Sequence, residues 1–142
     1  MKNKYCVVFN EPKPITELDL WPAQAGRFDL ILGHSLFGDL FLMDSSNDQL
    51  ALLYVMPPEL NEMQFFGRQS FANDCLEHEI IREDVLCEEK VDKLEGVVGI
   101  LEEGEVYIPE PYPFLGGDLK IESYSKGQLM AFLSIIGTLQ LE

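Results

Sequence analysis

Nucleophiles, imidazoles and paired carboxylates are the side chains from which this 142-residue chain would have to build a reactive centre, and few of them fall at workable spacing. Gly33-His34-Ser35-Leu36-Phe37-Gly38 approaches the Gly-x-Ser-x-Gly turn that presents a hydrolase serine. Its second glycine comes one position late, so the crowding that both glycines relieve around a strained serine would persist. Cys75-Leu76-Glu77-His78, with Cys87 nine residues further on, has the look of half a zinc site. A structural site needs four ligands that the fold can close, and Cys6 and His34 stand too far off in the chain to complete it. Free cysteines and a surface histidine are therefore expected. The Asp44 to Gln49 segment lacks the turn glycine and terminal glutamate of a calcium loop. Gly116-Gly117 lacks the lysine and spacing of a phosphate cradle. No catalytic residue, cofactor or metal is assigned. An enzymatic reading would require His34, Asp39 and Tyr107 to converge in one pocket.

Two acidic features remain. Asp39 follows Gly38 among apolar neighbours, where a bend or bulge is expected and where a carboxylate accepts backbone hydrogen bonds. Residues 77 to 105 hold eleven acids against Arg82, Lys90 and Lys93. Within them Glu83, Asp84, Glu88, Glu89, Asp92 and Glu95 crowd the side of a predicted helix opposite its apolar stripe. The whole chain carries 25 acids and 10 bases, a formal charge of −15. Such a field repels nucleic acid and anionic lipid and draws in a basic protein partner. Apolar runs fall well short of the roughly 20 residues of a membrane span. The three cysteines form no disulfide framework, and no apolar leader follows Met1-Lys2-Asn3-Lys4, so a reducing cytoplasm is expected.

The elements that must position these residues are organised around residues 36 to 55. There two apolar runs, Leu36 to Met43 and Leu50 to Val55, flank a polar loop, the pattern of a hairpin. The runs are too continuous for a sheet washed on one face, so they are placed at a sheet centre covered on both sides. Tyr5 to Phe9, Phe28 to Leu32, Glu105 to Ile108 and Asp118 to Tyr124 read as further strands. Met56-Pro57-Pro58 is expected to end the hairpin, and residues 59 to 66 read as extended or turn. Helices are predicted near 70 to 78, near 87 to 101 (Val91, Leu94, Val97, Val98 and Leu101, stopped by Gly104), and near 125 to 139. The last has Ser125 as N-cap and Leu129, Phe132, Leu133, Ile136 and Leu139 as its stripe. Trp21 reads as a core or rim plug. The fold class is α+β, an antiparallel sheet with helices packed on it, in a single domain over residues 1 to 142 whose first 27 residues are a strand and a proline-rich lead-in.

Phe37-Gly38-Asp39-Leu40-Phe41-Leu42 with its hairpin, and Leu115-Gly116-Gly117 leading into strand and helix, resemble the C-terminal domain of bacterial type VI secretion immunity proteins, often found behind a GAD-like domain. The resemblance spans about residues 28 to 142. It implies a cytoplasmic, non-enzymatic antidote that binds a secreted toxin, a nuclease in the best-known members, and it makes Phe37, Gly38, Asp39, Leu115, Gly116 and Gly117 family-pattern positions. These read as structural. Combined with the charge, the expectation is an immunity protein whose acidic face blocks a basic toxin cleft. The alternative is a regulatory or scaffold domain that binds a protein through an apolar patch of Trp21, Phe65 and Phe66.

Overall fold

The computed structural model describes residues 3–18, 20–118 and 120–141. Five antiparallel strands, β1 (Cys6–Pro14), β2 (Leu30–Ser35), β3 (Leu40–Met43), β4 (Gln49–Val55) and β5 (Pro58–Phe66), run as a meander in sequence order. A separate two-stranded ladder joins β6 (Glu105–Pro109) to β7 (Tyr124–Gln128). The helices are α1 (Trp21–Ala25), α2 (Arg68–Ser70), α3 (Glu88–Val97) and α4 (Leu129–Leu141). Wider helical turns follow α2 at Phe71–Cys75 and precede α3 at Ile81–Val85.

The β3–β4 hairpin lies at the sheet centre, and its alternation sorts side chains between two cores. Leu40, Leu42, Ala51, Leu53 and Val55 face a layer that includes Trp21, Phe28, Phe132, Leu133 and Ile136. Phe41, Met43, Leu50 and Leu52 face Phe71, Cys75, Leu76, Ile81 and Leu86. Burial on both faces is why these strands read as unbroken apolar runs. The hairpin loop is held by Asp44, whose carboxylate accepts from the Ser46 amide (2.9 Å) and hydroxyl (2.7 Å) and from Arg27 (2.6 Å). Trp21 is fully buried, and its indole N–H donates to the Leu133 carbonyl at 2.9 Å, tying α1 to α4.

Several boundaries differ from the sequence reading, each for a physical reason. The proline pair does not end the sheet: Met56-Pro57 makes the turn, and residues 58 to 66 add β5, whose proline falls at the start of an edge strand where a missing donor is tolerated. The helix expected over 87–101 stops at Val97. Gly99, at φ +111°, sends its own N–H and that of Val98 back to the Leu94 carbonyl, closing the helix five residues before Gly104. Val97 is consequently exposed. Ser125 caps no helix. Residues 124 to 128 supply the strand that satisfies β6, and α4 begins at Leu129. The strand expected over 118–124 is absent at Ile121–Ser123, which form a tight turn. Asp118 accepts there from the Lys120 amide (3.1 Å) and the Ser123 hydroxyl (2.7 Å), drawing the chain away from an extended path. Leu119 of that expected strand lies outside the described residues.

Candidate functional site

The acidic stretch is carried by the Ile81–Val85 turn and α3, which meet at Cys87, a residue in the left-handed region (φ +50°). Val91 and Leu94 turn inward onto Leu36, Tyr107 and Tyr124, so the opposite side of α3 is left to solvent. The six carboxylates anticipated there divide into two groups. Glu88 is drawn onto Arg82 (2.9 Å), and Asp92 accepts from Lys4 (3.2 Å) and the Tyr5 hydroxyl (3.0 Å), while Glu95 lies 3.7 Å from Lys4. Glu83 and Asp84 are exposed and form no ion pair among the described residues. Glu89, 90% exposed, has only a loose contact at 3.7 Å with Lys93. Such surface pairs contribute little to stability. Their consequence is electrostatic: of the six, Glu83, Asp84 and Glu89 keep the least compensated charge, where the wide turn hands over to α3.

Sequence spacing missed why that region is rigid. Ile81 and Val85 sit four apart and are buried, a helical signal submerged in the run of acids around it. Lys90, one of the three bases within the run, turns away from the acids. Its ammonium lies 2.6 Å from the Tyr124 hydroxyl and over the rings of Tyr124 and Phe37.

Asp39 sits in the turn between β2 and β3. The Ser35 amide donates to the Asp39 carbonyl (2.8 Å), and the Asp39 amide lies 3.2 Å from the Ser35 hydroxyl. Its carboxylate accepts the Val55 N–H at 3.2 Å, pinning the turn to β4. The residue keeps some surface, but protein crowds its carboxyl group on nearly all sides, and this burial pushes its pKa up to about 7 against the opposing Val55 bond. Next to it Gly38 takes φ +92°, and a Cβ there would stand 2.7 Å from the Phe132 ring. Phe37 packs against Tyr107 and Tyr124, joining this turn to α3 and the small ladder. Gly116 caps the short Pro113–Leu115 turn at φ +94°, and Gly117 passes close against the Pro111 carbonyl, while Leu115 is exposed.

Of the three groups an enzyme would have needed in one pocket, His34 and Tyr107 line one groove beside β1 and Asp39 does not, and each is engaged by its own partner. Asp39 is held by Val55, the Tyr107 hydroxyl donates to the Gly99 carbonyl (2.7 Å), and His34 is buried with Nδ1 2.8 Å from the Ser35 carbonyl. Burial lowers the His34 pKa. Cys6 and Cys75 are buried in the second core, which pushes both thiols up to about 12. The His78 ring lies edge-on to Phe65, and its Nδ1 accepts the Ile80 N–H. Among the described residues no three His, Cys, Asp or Glu side chains gather as a metal cage. The apolar patch of Trp21, Phe65 and Phe66 does not exist as a surface, because Trp21 is sealed beneath α4 while Phe66 stands out on β5. Among the described residues no helix is long and apolar enough to cross a membrane.

Comparison with known proteins places this geometry. A family model described as T6SS immunity protein Tdi1, C-terminal, matches residues 66–140. That range takes in the six carboxylates and Leu115-Gly116-Gly117, and it leaves Phe37-Gly38-Asp39 outside. The crystal structure of Atu4351 from Agrobacterium tumefaciens shares the fold, with a TM-score of 0.68 at 15% sequence identity. The similarity covers 94% of this chain and 66% of that one, so the chain spans just under two thirds of that protein's length. No curated protein matches.

Proposed function

Since the chain belongs to the T6SS immunity protein Tdi1, C-terminal, family, we propose that it neutralises a secreted toxin by binding it, without chemistry of its own, through the acidic surface formed by the Ile81–Val85 turn and α3. The observation that carries the reading is the coincidence of family and charge. The matched region is the one that presents Glu83, Asp84 and Glu89 outward on a frame fixed by Ile81, Val85, Val91 and Leu94. A basic cleft is the complementary shape and charge. A nuclease toxin offers such a cleft to its phosphodiester substrate, and carboxylates on a rigid helix occupy it in place of phosphates. Cytoplasmic residence follows from the role, because an antidote must meet toxin that arrives inside the cell.

Co-expression with the toxin encoded beside this chain tests the role: cells survive with the chain and die as fast as controls if the reading is wrong. The surface is tested by Glu83→Lys, Asp84→Lys and Glu89→Lys together. These side chains are exposed, so the variant should keep the parent's unfolding midpoint. Its association rate with the toxin at low salt should fall by about tenfold or more. An unchanged rate moves the interface off this surface.

A further inference from the structure

Beyond the acidic surface, a groove of about 1240 Å³ runs along the outer side of β1. Among the described residues β1 pairs with β2 alone. Its regular register covers Cys6, Val7 and Val8 before it breaks between Val8 and Lys13, so one edge of the sheet opens into this groove. Four of the eleven exposed large apolar side chains among the described residues line it: Val7, Val8, Ile100 and Met130. Ile100 is 72% exposed and Met130 54%. They come from an edge strand, the loop after α3 and the first turn of α4, so three elements each contribute exposed apolar surface to one groove. Six carboxylates line the same groove, among them Glu95, Glu102, Glu103 and Glu105 on the side of that loop. Three cations oppose them, and each is already engaged. Lys4 is on Asp92, Lys13 lies over the Phe9 ring at 4.4 Å, and Arg68 donates to the Asn10 carbonyl at 2.7 Å. A smaller hollow of about 180 Å³ shares Asn3, Lys4, Leu76 and Glu77 with the groove and reaches Arg82 in the wide turn and Glu88 at the start of α3.

We propose that this groove receives an extended segment of the toxin, with apolar side chains seated on Val7, Val8, Ile100 and Met130 and flanking lysines or arginines paired with the glutamates of the 102–105 loop. The proposal rests on the toxin-binding reading above and adds a second, partly apolar contact to the charged one. Charge selects the occupant. A second copy of this chain, at −15, would bring like charge to a groove already rich in carboxylates, whereas a basic segment relieves it. The division of labour is kinetic: carboxylates on α3 speed encounter, and burial of these apolar side chains slows dissociation.

The test is a titration of the full chain against the toxin encoded beside it, using Val8→Gln with Ile100→Gln, which removes the apolar side chains and adds no charge. Both parent side chains are exposed, and an unfolding midpoint matching the parent's confirms that the variant is folded. The expected result is a dissociation rate raised by about tenfold or more, with the association rate little changed. The triple lysine variant on the acidic surface should show the reverse pattern. If the groove variant dissociates like the parent while the triple variant still associates slowly, the groove proposal falls and the acidic-surface reading stands. A parent chain that does not bind the toxin overturns both. Sedimentation showing a dimer that the groove variant dissolves would seat a second copy there and overturn the toxin segment as occupant.

Discussion

Burial moves the carboxyl group of Asp39 far from its ordinary behaviour. The group titrates at about 7 in the folded chain against 3.8 when free, because desolvation of the anion outweighs the single Val55 N–H bond. Between those values the folded chain holds a proton that the unfolded chain has released. Stability therefore falls as pH rises from about 4 to about 7, and the full cost is present above that window. Asp39→Asn keeps an oxygen for the Val55 N–H and removes the buried charge. The variant should be more stable than the parent at pH 8 by roughly 2–4 kcal/mol, with the gap shrinking through the window and gone below about pH 4. Urea denaturation at pH 4, 6 and 8 reads this directly. A variant less stable than the parent at pH 8 would mean that the ionised carboxylate is itself stabilised by the fold, and the burial argument would be wrong.

At the scale of elements, the turn between β2 and β3 does more than reverse the chain. Its Leu36 carbonyl accepts the Tyr107 N–H (2.8 Å), and Gly38 lies against Phe132 of α4, so one turn fastens the large sheet to both the small ladder and the last helix. Gly38→Ala would force a side chain into positive φ and against a fully buried ring. A loss of about 2–4 kcal/mol is expected, read as a lower midpoint in thermal unfolding, and a midpoint within a degree of the parent's would show that Phe132 yields freely. The sequence signal was clear where periodicity and burial agreed. The β3–β4 hairpin stands where its two apolar runs put it, and Val91, Leu94, Phe132, Leu133 and Ile136 face inward as their spacing requires. It was obscure where a long-range partner decided the outcome. Ser125 to Gln128 resembles the start of a helix until β6 claims it, and residues 58 to 66 lack apolar alternation because β5 is a largely exposed edge strand that β4 pairs. The acidic run was legible as charge. Its division into tethered and free carboxylates was not, because Lys4 and Tyr5 reach Asp92 from the far end of the chain.

For the molecule as a whole, the excess of negative charge acts on two equilibria in opposite directions. With twenty-five acids to ten bases, the excess like charges repel one another within the folded state, while the same field would attract the basic partner proposed above. Salt separates the two effects because it weakens both. Raising sodium chloride from about 0.02 M to about 0.3 M shortens the screening length from roughly 20 Å to roughly 6 Å, below the spacing of all but neighbouring charges. Internal repulsion is then relieved and the melting temperature should rise by a few degrees, while the association rate with the toxin should fall by about tenfold or more. The two slopes are measured on the same preparation, by calorimetry and by stopped-flow mixing. Opposite signs are the expected result. A melting temperature that falls with salt would mean that the ion pairs at Arg82, Lys4 and Arg27 outweigh the unpaired carboxylates in the native state. An association rate indifferent to salt would move recognition onto apolar contacts, and the charge at Glu83, Asp84 and Glu89 would then serve solubility alone.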